Sequence, residues 1–213
     1  MDRRADSVAE ILLYFILTPC PSCGLTAVRP RSAAAAAGDA SRRVRAACAR
    51  CLRDYPDEFL LPGPGPLAPL AALRIGAWGG GLRAAAGPSE LIDVMGWIAL
   101  YGIIVERSWQ EADKKASRRL AWEAGLCLDE ALKFYSNGER FPPAEAFFTP
   151  ESQARFRAFR GQFDREMVLD HRRQAPVLTA AERLASAAAG EGGGWLFWEK
   201  HVEPRTGWRH EDG

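Results

Sequence analysis

Four cysteines constrain this chain more than any other feature. Cys20-Pro-Ser-Cys23 and Cys48-Ala-Arg-Cys51 form two Cys-x-x-Cys knuckles with 24 residues between them. Two residues between cysteines let both sulfurs of a knuckle reach one ion, and two knuckles supply the four thiolates of a tetrahedral zinc shell. Iron in the same four-sulfur shell is the alternative metal. A redox dithiol would need only one knuckle. Four sulfur ligands leave no open coordination position, so the ion at Cys20, Cys23, Cys48 and Cys51 is expected to be structural, holding together a module too small to bury an adequate core unaided.

At these residues the chain resembles the zinc-ribbon family, with each knuckle at a hairpin and Gly24 suited to the tight turn that follows the first pair. The likeness covers roughly residues 15–60. It implies a small β module around zinc, of a kind that serves both in nucleic-acid machinery and as a protein-docking unit. The spacing between knuckles exceeds the usual ~15–20 residues, and the Ala-rich insert between Arg31 and Asp39 accounts for the excess as a loop.

The rest of the chain has a different composition. Pro56, Pro62-Gly-Pro-Gly-Pro66, Pro69, Gly79-Gly-Gly81 and Gly87-Pro88 forbid long regular elements and mark 62–88 as a linker. Beyond it, Leu91, Val94, Met95, Ile98 and Val105 recur at helical spacing over 90–109. Leu120, Ala124, Cys127, Leu128, Ala131 and Tyr135 form a second stripe between Asp113 and about Phe134. Thr149-Pro150 opens a third helix carrying Phe156, Phe159 and Phe163 on one face, and the capping box Thr179-Ala-Ala-Glu182 opens a fourth, to about Ala189. The expected architecture is mainly α with a small β zinc ribbon. A ribbon at 1–61, the linker at 62–88, a bundle of about four helices at 89–190 and an aromatic tail at 191–213 make up the chain. Before the first knuckle, Ser7-Val-Ala-Glu10 fits a capping box from which a short helix could start, and Ile11–Leu17 is equally a buried strand entering the metal site; the favoured reading is a short helix or irregular start followed by a strand.

Net charge is only +1, so no chain-wide electrostatic argument is available, but residues 1–53 hold nine arginines against four acids. Arg29, Arg31, Arg42, Arg43 and Arg45 therefore form a candidate phosphate-binding patch, without interleaved aromatics to stack bases. Trp195, Phe197 and Trp198 after a glycine run are candidate partner-docking residues. Cys127, inside an apolar stripe, reads as a buried thiol, and Asp170-His171 point in different directions on a helix and make no proton relay by themselves. No metalloprotease helix, phosphate-binding glycine loop or nucleophile elbow occurs. Scattered carboxylates such as Glu106, Glu123 and Asp129 are the sole catalytic candidates.

The cysteine usage, with one stray beside two knuckles, points to a reducing, cytoplasmic setting. The opening Met-Asp-Arg-Arg followed by an apolar run imitates a leader. However, Asp6 and Glu10 interrupt it, the run is seven residues, and Pro19 precedes the cysteine, so neither a signal peptide nor a membrane span is expected. The expected function is a zinc-stabilised, non-enzymatic adaptor or accessory subunit with a protein partner. The alternative is a nucleic-acid-binding protein using the Arg-rich ribbon.

Overall fold

The computed structural model describes residues 2–26, 28–35, 41–62, 87–136, 138–179, 181 and 182. Among them the chain forms a four-stranded sheet and five α-helices. The order along the chain is β1 (Asp2–Arg4), α1 (Val8–Leu17), β2 (Val28–Ala35), β3 (Ser41–Cys48), β4 (Asp54–Pro62), α2 (Val94–Gln110), α3 (Lys114–Leu132), α4 (Pro150–Ala158) and α5 (Arg165–Gln174), with short 3₁₀ turns at Ala144–Ala146 and Arg160–Phe163.

The segment before the first knuckle is a helix, not the strand expected over Ile11–Leu17. The Ser7 hydroxyl accepts from the Glu10 amide at 3.0 Å and caps α1. Ile11, Leu12, Leu13, Tyr14 and Phe15 are all buried, so the continuous apolar run reflects burial on several sides rather than a pleated strand. Phe15 meets Tyr55 and Phe59 of β4 at ring separations of 4.3 and 5.3 Å, and Tyr14 meets Phe59 edge-on. On its other side α1 approaches α2. A Cβ built on Gly96 would stand 2.9 Å from Leu17 Cδ1 and 2.7 Å from Ile92 Cγ2, so a larger residue there would force these side chains to shift.

In the sheet, β2 and β3 pair antiparallel from Val28↔Cys48 to Ala35↔Arg42, with an irregularity between Pro30 and Ser32 that leaves Arg31 out of register. β3 pairs antiparallel with β4, and β1 adds a parallel edge through Asp2↔Glu58 to Arg4↔Leu60. The sheet order is β1-β4-β3-β2. Neither β1 nor β4 was expected. Pro56 lies near the start of β4, where the register slips between Arg45 and Ala47, a position a strand proline tolerates.

The helical part follows the sequence more closely. Asp93 is the N-cap of α2, which starts at Val94 rather than at residue 90, its Oδ1 accepting from the Gly96 amide at 2.8 Å. Val94, Trp97, Leu100, Ile104 and Ser108 form the buried face of α2, and the expected stripe Leu120, Ala124, Cys127, Leu128 and Ala131 is the buried face of α3. The two helices make a hairpin, tied where the Ser117 hydroxyl donates to the Ser108 carbonyl at 2.7 Å. Thr149 caps α4 with Pro150 in its first turn. The third helix, expected to run on past Phe163, breaks at Phe159 and restarts as α5 behind the Asp164 cap. Phe163 is buried against Phe147 while Phe159 stays half exposed, so the three phenylalanines do not share a core face. The capping box at Thr179 is present, with reciprocal bonds to Glu182 at 2.7 and 3.2 Å.

One cluster of buried side chains extends from Ala5, Phe15, Cys20, Cys48 and Phe59 through Val94, Trp97 and Leu128 to Phe163 and Val168. Of the linker assigned to 62–88, all but residues 62, 87 and 88 lie outside the described residues. So do Trp195, Phe197 and Trp198 and the rest of the tail at 191–213.

Candidate metal centre

The first knuckle follows α1, and the second turns between β3 and β4. Both are built alike. In the first, the Gly24 amide donates to the Cys20 carbonyl at 2.8 Å and the Cys20 amide to the Leu25 carbonyl at 2.8 Å. In the second, the Leu52 amide donates to the Cys48 carbonyl at 3.0 Å and the Cys48 amide to the Arg53 carbonyl at 2.9 Å. The residue after each second cysteine takes the left-handed conformation, Gly24 at φ +71° and Leu52 at φ +60°. Gly24 suits that conformation because it lacks a Cβ. Leu52 is the single described non-glycine residue that adopts it, and its side chain is 54% exposed.

These two turns bring the four Sγ atoms together. All lie within 4.8 Å of one another, with Cys20 to Cys51 at 3.6 Å and Cys23 to Cys48 at 3.5 Å. Four sulfurs about 2.3 Å from one tetrahedral ion stand about 3.8 Å apart, so the cluster has the size of a closed metal shell. Cys20 and Cys48 are buried, Cys51 is half-buried and Cys23 is exposed, so an ion could enter from the Cys23 side. The four cysteines can thus hold a metal ion.

The electrostatics of the cluster favour one ready thiolate. Burial pushes the Cys20 thiol up, but backbone hydrogen bonds at Ser22 and Cys23 and the neighbouring sulfurs outweigh it and bring it down to about 7. The Leu25 amide works to lower Cys23, yet partial burial and the other sulfurs raise it to about 12, because a second thiolate beside the first would be repelled. Burial, then the charge of the same sulfurs, raises the Tyr55 phenol as well. A cation among the sulfurs would relieve this repulsion and release protons.

The arginine patch divides. Arg29 and Arg31 lie on β2 and Arg42 on β3, next to Arg43 and Arg45. Glu58 on β4 holds two of the five: Arg43 Nη1 lies 3.1 Å from its carboxylate, and Arg45 pairs with the other oxygen. No local signal points to that pairing, because it depends on β4, a strand not expected from the sequence.

The candidate carboxylates are not brought to one pocket. Glu106 is exposed on α2, Asp129 is paired with Arg172 at 2.6 Å, and Glu123 is fully buried. The described cleft of about 780 Å³ lies elsewhere, lined by Ser89, Lys133, Phe134, Ala146 and Phe148 among others. Cys127 is fully buried, and burial holds its thiol well above the usual range, as expected of a packing residue. His171 stacks on Tyr101 at 5.6 Å and does not act with Asp170, which pairs with Arg173. Nothing in the local sequence marks how deeply Glu123 is buried. Its nearest charge is Arg119 Nε at 3.6 Å, and neither carboxylate oxygen has a hydrogen-bond partner among the described residues.

No family model matches the chain, and comparisons with curated proteins and with solved structures return no match. No helix among the described residues is long and apolar enough to cross a membrane.

Proposed function

We propose that the protein is a zinc-stabilised, non-enzymatic interaction module, an adaptor or accessory subunit of a protein assembly, with Cys20, Cys23, Cys48 and Cys51 as a structural zinc-ribbon site. The observation that carries this reading is the closed sulfur cluster. Four thiolates around one ion leave no position for substrate or water, so such an ion holds a fold and does not turn over a reaction. Thiolate ligands in a tetrahedral arrangement favour zinc, with iron as the alternative. Five free cysteines suit a reducing compartment, the cytoplasm. Trp109, 81% exposed on α2, offers a surface for a protein partner, and Trp195, Phe197 and Trp198 are further anchors.

The test has two arms. Elemental analysis of the purified chain should find one zinc per molecule, lost in Cys48→Ser. Affinity purification from the native cell should recover one partner in stoichiometric amount, with the Trp109→Ala variant and the chain cut after residue 190 retaining less. A chain free of metal, or a zinc-loaded chain that stays monomeric and alone, would overturn the reading.

A further inference from the structure

The run Arg155-Phe-Arg-Ala-Phe-Arg160 alternates cations with aromatics where α4 ends. At Phe159 the backbone leaves helical geometry (φ −131°, ψ 44°), and this separates aromatics that a continuous helix would have put on one face. Phe156 stacks on Phe147 at 4.5 Å and Phe163 meets it edge-on at 5.2 Å, both facing inward. Phe159 instead keeps 50% of its surface in solvent. The Arg155 guanidinium lies 5.1 Å from the centre of the Phe159 ring, and Arg160 lies 4.2 Å from that of Phe141. Arg157 and Arg160 are exposed and meet no carboxylate among the described residues. The ribbon arginines differ in this respect, since Glu58 neutralises Arg43 and Arg45.

We propose that this turn binds single-stranded nucleic acid, with a base stacked on Phe159 and with Arg157 and Arg160 against the flanking phosphates. Each part follows from the chemistry of such a strand. Beyond the Arg155 contact, Phe159 leaves half of its apolar ring in water, and an unpaired base offers a flat face to cover it. Stacking tolerates any base, and a guanidinium beside the ring adds a cation–π contact. Cations without acidic partners are free to displace counterions from phosphates. A duplex keeps its bases stacked inside and cannot use Phe159. A run of acidic residues alone can use the arginines but brings no aromatic face to the ring.

The experiment uses the full chain and fluorescein-labelled oligo(dT), oligo(rU) and a duplex of the same length, read by fluorescence anisotropy across a salt series. The expected result is binding of at least one single strand, tighter than the duplex and weakening with salt. Phe159→Ala should weaken it about tenfold while Phe159→Tyr retains it. Arg157→Gln with Arg160→Gln should reduce the salt slope by about 1.4. Arg43→Gln with Arg45→Gln should leave it unchanged. All these side chains are exposed, so melting temperatures should stay at wild type and loss of binding is not loss of fold. Absence of binding at low salt, equal binding of duplex, or indifference to Phe159→Ala would each overturn the proposal. None of these outcomes bears on the zinc content or the protein partner, so this inference and the metal-held reading fail separately.

Discussion

The Ser89 hydroxyl donates to the Glu10 carboxylate, joining the first turn of α1 to the segment that enters α2 across 79 residues of chain. Glu10 is 1% exposed and its other oxygen accepts from the Asp6 amide at 2.7 Å. Ser89 Oγ also accepts from the Leu91 and Ile92 amides at 3.0 and 2.9 Å. The pair therefore satisfies a buried charge and two backbone donors at once. Ser89→Ala removes the donor from a charged group and the acceptor from both amides, and hydrogen bonds to buried charges contribute about 1.5–3 kcal/mol. Denaturant unfolding should show a loss of about 3 kcal/mol with an unchanged slope. A loss under about 0.5 kcal/mol would mean that this link is not made in solution.

The same contact shows which parts of the fold could be read from the sequence. Helices α2 and α3, the Thr149 and Thr179 caps and the cysteine quartet are all local signals, because periodicity, capping residues and Cys-x-x-Cys spacing act within a few residues. The misread parts depend on partners far along the chain. Ile11–Leu17 is apolar throughout, and a run of that length fits a buried strand or a buried helix. Its packing between β4 and α2 makes it a helix, and neither neighbour is visible locally. β4 carries Pro56, which argued against a strand until the register slip opposite Arg45–Ala47 accommodated it. Phe159 left its predicted face because the helix stops one residue earlier, a boundary that periodicity does not specify.

Metal loss should reach the helices. Cys20 and Cys48 belong to the same buried cluster as Val94 and Trp97, and α1 bridges the sheet and α2. Cys48→Ser breaks the sulfur shell, and the strands on either side of it lose their clamp. We expect the helical circular-dichroism signal to melt more than about 10 °C lower in this variant than in the parent supplied with metal. Melting of the helical signal at the parental temperature would show that the helices are stable without the metal site.

The two knuckles differ at one equivalent position, and the difference is testable. Leu52 holds the left-handed conformation that Gly24 holds in the first knuckle, at a cost of about 1 kcal/mol or more for a residue with a Cβ. Its side chain is more than half exposed, so little packing is lost on removing it. Leu52→Gly should therefore leave stability unchanged or raise it by up to about 1 kcal/mol, glycine's own chain entropy offsetting part of the gain. Gly24→Ala should lower stability by about 1 kcal/mol through backbone strain alone, since an added Cβ there meets no atom within 4 Å. A clear loss of stability in Leu52→Gly, or no loss in Gly24→Ala, would contradict the shared left-handed geometry of the knuckles.

Glu123 gives the helical part a pH dependence of stability. Burial raises its carboxyl from 4.5 to about 7 against the opposing charge of Arg119. The folded state therefore holds this proton more tightly than the unfolded chain does. The stability it contributes is fully present below about pH 4.5 and is lost as pH rises through about 7, the two values between which folded and unfolded states differ in protonation. The full effect is about 3 kcal/mol. Glu123→Gln removes the charge while keeping the shape, so it should stabilise the protein by up to that amount near pH 8 and have little effect near pH 4.5. Unfolding free energies measured across this range should then show a shallower decline with pH for the variant than for the parent. Parallel pH profiles would mean that Glu123 stays ionised in the folded protein, held by more than the single Arg119 contact at 3.6 Å.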